Sequence, residues 1–264
     1  MKSISQRTVS VFKQMNNIAY KITGLRITSN SPIGYELKKS DLDAFSVVNE
    51  VKDRTMTDEN RLHNLILATR YVIENNIEGD IVECGVWRGG SMMAVALTLN
   101  QLKVKDRNLA LYDTFTGMTT PQSVDKTFGG EFASDLMSGI PQDDSEFAGG
   151  VIAFATLEDV MIGMKSTEYP TQKIIYVQGD VTETLRQKNL PEKISLLRLD
   201  TDWHESTKIE LEVLWPRLQS GGVLILDDYD HWEGARIAVD DFFSSIGLNP
   251  FMMKMNTGRA IIKL

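Results

Sequence analysis

Leu197-Arg198-Leu199-Asp200-Thr201-Asp202 ends one apolar run of strand length, and Val223-Leu224-Ile225-Leu226-Asp227-Asp228 ends a second. Between them, residues 206–218 form an amphipathic stretch of helix length. A strand, a helix and a second strand make a right-handed crossover, which sets the two strands parallel. Both acidic clusters then lie at the carboxyl edge of one sheet, where open α/β folds bind their ligands. Carboxylates gathered there repel one another unless a hard cation joins them.

The same alternation extends upstream. Ile81-Val82-Glu83-Cys84 reads as a first strand, residues 85–90 as a turn and 91–102 as a helix. Leu109-Ala110-Leu111-Tyr112-Asp113 is a second strand and Lys173-Ile174-Ile175-Tyr176-Val177 a third, so residues 194–199 and 223–226 are the fourth and fifth. Residues 235–246 read as a helix. Asn256-Thr257-Gly258 between two short apolar runs is a hairpin signal. Thr57-Asp58-Glu59 starts a helix with a capping hydroxyl and acids in its first turn, and Leu62, Leu65, Ile66, Val72 and Ile73 keep one face apolar. The expectation is an α/β domain over 54–264, mostly parallel, with a C-terminal antiparallel hairpin and an N-terminal helical or loop appendage over 1–53. Glycines and prolines crowd residues 114–150, a span long enough to be a lid or binding loop.

Composition narrows the function. The 264 residues carry a net charge of −8, which argues against a nucleic-acid partner. Cys84 is the one cysteine, so a reducing, cytoplasmic setting is expected. No apolar run reaches the length of a membrane span, and no apolar leader follows Lys2 and Arg7. Residues 1 to about 50 are expected to cover the domain or a partner subunit in a homo-oligomer.

Glycines at 85, 89 and 90 let the backbone approach a ligand closely, but their spacing is not the dinucleotide fingerprint. Asp113, ending the second strand, is placed to accept from ribose hydroxyls. Asp180 follows the third strand and is placed toward an adenine; a plain loop acid before a helix is the alternative. Turn and acid together suggest an adenosine-containing cofactor, either a nicotinamide dinucleotide or S-adenosylmethionine. Trp203 and Trp232 flank the acidic clusters and suit either a sugar face or the core. The methionines read as gap-fillers.

From about Arg54 to Leu264 the chain resembles the macrocin O-methyltransferase family, which methylates sugar hydroxyls of macrolide and aminocoumarin antibiotics. The matching stretches are Thr55-Met56-Thr57, Val82-Glu83-Cys84-Gly85-Val86-Trp87-Arg88-Gly89-Gly90-Ser91, Asp113-Thr114-Phe115-Thr116-Gly117-Met118, Leu197-Arg198-Leu199-Asp200-Thr201-Asp202, Glu205-Ser206-Thr207 and Asp227-Asp228-Tyr229. The resemblance implies a Rossmann-like class I methyltransferase sheet. It implies S-adenosylmethionine at Thr55, Met56, Glu83, Gly85, Ser91, Asp113, Phe115, Gly117 and Asp180. It also implies Mg²⁺ on Asp200, Asp227 and Asp228, with Asp202 as general base and a small hydroxylated acceptor, a sugar. His204 and His231 are the other candidates for the base. The competing functions are a nicotinamide-dependent oxidoreductase and a non-catalytic binding protein of the same fold.

Overall fold

The computed structural model describes residues 40–138 and 147–264. The expected appendage therefore lies largely outside the described residues, as do Gly139 and Pro141 of the expected lid. The described chain begins with α1 (Leu42–Val51), a 3₁₀ turn (Lys52–Arg54) and α2 (Glu59–Glu74). Asp58 rather than Thr57 caps α2, its Oδ1 accepting from the Asn60 and Arg61 amides. The Thr57 hydroxyl is drawn away to the buried Arg198 guanidinium.

Five parallel strands follow: β1 (Asp80–Cys84), β2 (Leu109–Asp113), β5 (Ile174–Gln178), β6 (Ile194–Leu199) and β7 (Leu218–Leu226). The hairpin β8 (Met253–Met255) and β9 (Gly258–Ile262) adds antiparallel to β7, giving the order β5-β2-β1-β6-β7-β9-β8. Helices cover both faces, so strand side chains are buried alternately on each. Ile81, Leu109, Leu196 and Val223 pack with α1, α2, α3 (Gly90–Gln101) and α5 (Leu157–Ser166). Val82, Ala110, Leu197 and Leu224 pack with α6 (Val181–Thr184), α7 (His204–Leu214) and α8 (Glu233–Ser245). Burial on both faces is why these strands read as unbroken apolar runs. None of the described helices is long and apolar enough to cross a membrane.

Two boundaries differ from expectation. α7 ends at Leu214 because Pro216 forces a 3₁₀ turn over Trp215–Arg217. β7 then starts at Leu218 and runs five residues longer on its N-terminal side than the apolar run alone suggests. α5 was not anticipated. Its signature is Thr156 three residues before Asp159, and the Thr156 hydroxyl accepts from the Asp159 amide at 3.2 Å. The span expected to be a lid is folded onto the domain where it is described. It contains α4 (Ala133–Ser138) and a two-stranded ribbon, β3 (Phe147–Ala148) with β4 (Phe154–Ala155), which carries it past residue 150.

Candidate active site

Register brings the acidic clusters together. Leu199 pairs with Leu226, so Asp200 and Asp227 leave the sheet at the same level. Cys84 pairs with Leu199 on the other side, and the Asp200 amide donates to the Cys84 carbonyl at 2.8 Å. Gly85 follows at φ +81°, and a Cβ there would overlap the Asp200 carbonyl. Only glycine lets the first-strand turn and the acidic edge meet this closely.

A cavity of about 450 Å³ opens at this edge. Thr55, Met56, Gly85, Ser91, Asp113, Gly117 and Asp180 line it, and so do Asp200, Asp202, Asp227, Asp228, Arg61, His231 and Trp232. Two expected cofactor contacts do not. Glu83 is fully buried on β1, where its carboxylate pairs with Arg198 at 2.7 Å. Phe115 is 3% exposed and packs into the core, its amide donating to Asp113. His204 is likewise absent from the lining.

The Asp113 carboxylate also serves the backbone around it. Its Oδ2 accepts from the Val86 and Trp87 amides at 2.6 and 3.1 Å, and its Oδ1 from the Phe115 amide at 2.7 Å. The carboxylate thus splices the glycine turn to the end of β2 while lining the cavity. Burial raises its pKa, and these amides oppose that shift. Asp180 caps α6, accepting from both the amide and the hydroxyl of Thr182 at 2.8 Å.

One oxygen each from Asp200, Asp202 and Asp228 lies within 4.8 Å of the others. Asp228 Oδ2 is buried and meets no donor. Burial first, and then the neighbouring carboxylates, holds Asp200 and Asp228 well above the ordinary carboxylate range; burial also pushes Asp202 up to about 7. An all-oxygen cluster with an orphaned oxygen and mutually repelling charges fits a hard divalent cation. Asp227, expected among the ligands, lies outside this trio and pairs with two guanidinium groups. Arg61 pairs with one oxygen and Arg198 lies 2.8 Å from the other.

Asp202 joins the cluster through an unusual backbone conformation. Strand alternation would put Asp200 and Asp202 on one face, but β6 ends at Leu199. Asp202 instead has φ +67°, and the Trp203 amide donates back to the Thr201 carbonyl at 2.7 Å. This is a γ-turn with a non-glycine apex, a conformation that costs about 1–3 kcal/mol and concentrates at functional sites.

The described part of the span 114–150 packs along this edge. Trp203 donates through Nε1 to the Thr119 carbonyl at 3.0 Å and meets Trp232 edge-to-face at 5.0 Å. Both tryptophans are 3% exposed, so packing accounts for most of their surface, while Trp232 also lines the cavity. Trp87 Nε1 donates to Ala148 and Phe154 carbonyls, and the Gly150 amide lies 3.1 Å from Met56 Sδ. Asp159 ties Arg54 and Arg88 together behind the glycine turn.

A family model described as Macrocin-O-methyltransferase (TylF) matches residues 6–260. The chain belongs to this family. Demethyldecarbamoylnovobiocin O-methyltransferase of Streptomyces niveus is 30% identical over 190 residues, which cover 71% of this chain and 67% of that protein. The 8-demethyl-8-(2,3-dimethoxy-alpha-L-rhamnosyl)-tetracenomycin-C 4'-O-methyltransferase of Streptomyces olivaceus is 31% identical over 195 residues, covering 74% and 69%. The solved structure of the O-methyltransferase NovP superposes with a TM-score of 0.67 at 26% identity, covering 80% of this chain and 82% of that one. The TylF-family chain is therefore an O-methyltransferase, and its family implies S-adenosylmethionine as the methyl donor. That membership sets aside the oxidoreductase and the non-catalytic alternative.

Sequence reasoning overlooked the cations of this TylF-family site. Arg198 is fully enclosed and faces Glu83, Asp200 and Asp227. Its signal is a lone charge inside an otherwise apolar strand, which needs partners. Arg61 gives no such signal, since one arginine in a polar stretch of α2 looks like a solvated face.

Proposed function

We propose that this enzyme transfers a methyl group from S-adenosylmethionine to a hydroxyl of a sugar or glycosylated metabolite, with Mg²⁺ assisting at the acidic edge. The convergence of Asp200, Asp202 and Asp228 in the cavity that also contains the glycine turn carries this reading. The Streptomyces olivaceus relative supports the acceptor class, since its name specifies a rhamnosyl natural product. Bound there, the sulfonium supplies an electrophilic methyl group and a divalent cation acidifies an alcohol.

The chain's own residues do the rest. Glycine-turn backbone, Ser91, Met56 and Thr55 form the cofactor's half of the cavity. Asp113 keeps that turn in shape. Asp200 and Asp228 would hold the cation, and Asp227 stays in the set as the carboxylate that Arg61 and Arg198 anchor. Asp202 accepts the acceptor's proton, for which a pKa of about 7 is well suited. His231 lines the same cavity, and burial lowers its pKa, so it offers a neutral ring to a second acceptor hydroxyl. The described lid and Trp232 exclude water. A cytoplasmic setting and a homo-oligomer remain part of the proposal, the first because it keeps the buried Cys84 reduced.

The test is incubation with S-adenosylmethionine, Mg²⁺ and a panel of glycosylated metabolites beside their aglycones. Mass spectrometry should find one added methyl group on sugar hydroxyls. Methylation of aglycones alone would overturn the acceptor class.

A further inference from the structure

We infer that Glu210 is a positioning residue that acts through Thr201 to hold the γ-turn aiming the Asp202 carboxylate into the cavity. The inference rests on the proposed role of Asp202 for its catalytic consequence, while the turn itself is a matter of geometry.

A positive φ at a β-carbon-bearing apex persists only where its surroundings fix both flanks. The downstream flank is held by Trp203, through its Nε1 bond to Thr119. The upstream flank is Thr201, whose carbonyl accepts from the Trp203 amide and, at 3.4 Å, from the Ser206 hydroxyl. Its side chain is held by one group: the Thr201 hydroxyl donates to Glu210 Oε1 at 2.9 Å.

Glu210 lies on α7, two turns beyond the γ-turn, and is 0% exposed. It does not line the cavity. The Cys84 thiol lies against it, and its Oε2 meets no donor. A carboxyl placed this deep is costly unless a specific contact requires an oxygen there. An apolar side chain of similar size would fill the space between α7 and β1 at lower cost. The hydroxyl that uses the oxygen is that of Thr201, beside the weaker donor of the Cys84 thiol. Burial also holds Glu210 well above the ordinary carboxylate range, so a neutral amide is a close substitute.

Hydrogen exchange followed by mass spectrometry on the full chain tests this, with Mg²⁺ titrated alone as a second readout. In Glu210→Leu the peptide containing the Trp203 amide should exchange on the order of tenfold faster, and Mg²⁺ affinity should fall. Thr201→Val removes the hydroxyl but leaves the carboxyl, and should behave the same way. Glu210→Gln keeps an acceptor oxygen for Thr201 and should match the wild type in both readouts. If Glu210→Leu unfolds globally, Thr201→Val decides. Unchanged Trp203 exchange in a folded Glu210→Leu or in Thr201→Val would overturn the inference, as would Glu210→Gln failing as badly as Glu210→Leu. The exchange readout needs no methyl transfer, so an inactive wild type would overturn the proposed function and leave this test intact.

Discussion

Arg198 on β6 and Glu83 on β1 stand directly opposite each other in the parallel ladder and pair at 2.7 Å with almost no exposure. The same guanidinium lies 2.6 Å from Asp200 and 2.8 Å from Asp227. Arg198→Met removes the cation from three carboxylates at once. Breaking a buried pair by deleting one partner costs about 3–5 kcal/mol. Urea unfolding should show a loss of that size, and a loss below about 1 kcal/mol would mean the carboxylates are satisfied elsewhere.

Asp113→Ala discriminates between two roles. A residue that only contacts ribose would lower cofactor affinity and leave the free enzyme as stable as before. The three amide bonds predict that the free enzyme also loses about 1–3 kcal/mol. Thermal scans without ligand, beside calorimetry with S-adenosylhomocysteine, separate these outcomes.

Chelation should abolish methyl transfer and Mg²⁺ should restore it. The cation should also raise thermal stability, because it relieves repulsion among Asp200, Asp202 and Asp228. At a hundredfold excess over its dissociation constant the gain is about 2.7 kcal/mol. Identical melting curves with chelator and with saturating Mg²⁺ would count against the site.

Asp202→Asn should slow turnover by roughly 10²–10⁴-fold with cofactor affinity unchanged. Its position in the cluster makes metal affinity the informative second measurement. Retained Mg²⁺ binding assigns the proton to Asp202, whereas lost binding makes it a ligand and moves the base role to His231.

Asp159 sets an acid-stability prediction. Burial alone would raise its pKa, but Arg88 and Arg54 outweigh that and hold it below the usual carboxylate value. A depressed folded-state pKa stabilises above the unfolded value of about 3.9, and the contribution disappears as pH falls through the folded value. Asp159→Asn should therefore lose stability at neutral pH and show a flatter acid limb below about pH 4. Urea midpoints measured across that range check the slope.

Strand ends and the glycine turn are legible in sequence because sheet burial on both faces leaves unbroken apolar runs closed by Asp113, Asp200 and Asp227. The gathering of acids at that edge is legible for the same reason. Side-chain partners are less so. Asp113 and Asp180 are solvent-side acids by position, but each turns inward to cap nearby backbone. Asp202 arrives at the expected place by an unexpected backbone, since alternation describes a strand and β6 has already ended. Glu83 matches a family motif, yet it serves Arg198 rather than the cavity. For Asp113 and Glu83 the deciding interaction comes from a residue distant in the chain, which local patterning does not encode, whereas for Asp180 and Asp202 it lies in a turn conformation that periodicity does not describe.

Asp125 of the lid is fully buried and caps α7, accepting from the His204 amide at 2.8 Å, while Gly234 on α8 leaves the space that its carboxylate fills. Engineers who redirect such enzymes by exchanging lids between relatives would be exchanging a helix cap as well. A graft that brings another residue to position 125, or a recipient with a side chain at 234, would disturb the start of α7 and with it the acidic turn just before. The span around Asp125 and the start of α7 are thus inherited as one module here, and a productive chimera needs the Asp125 and Gly234 pair carried across together.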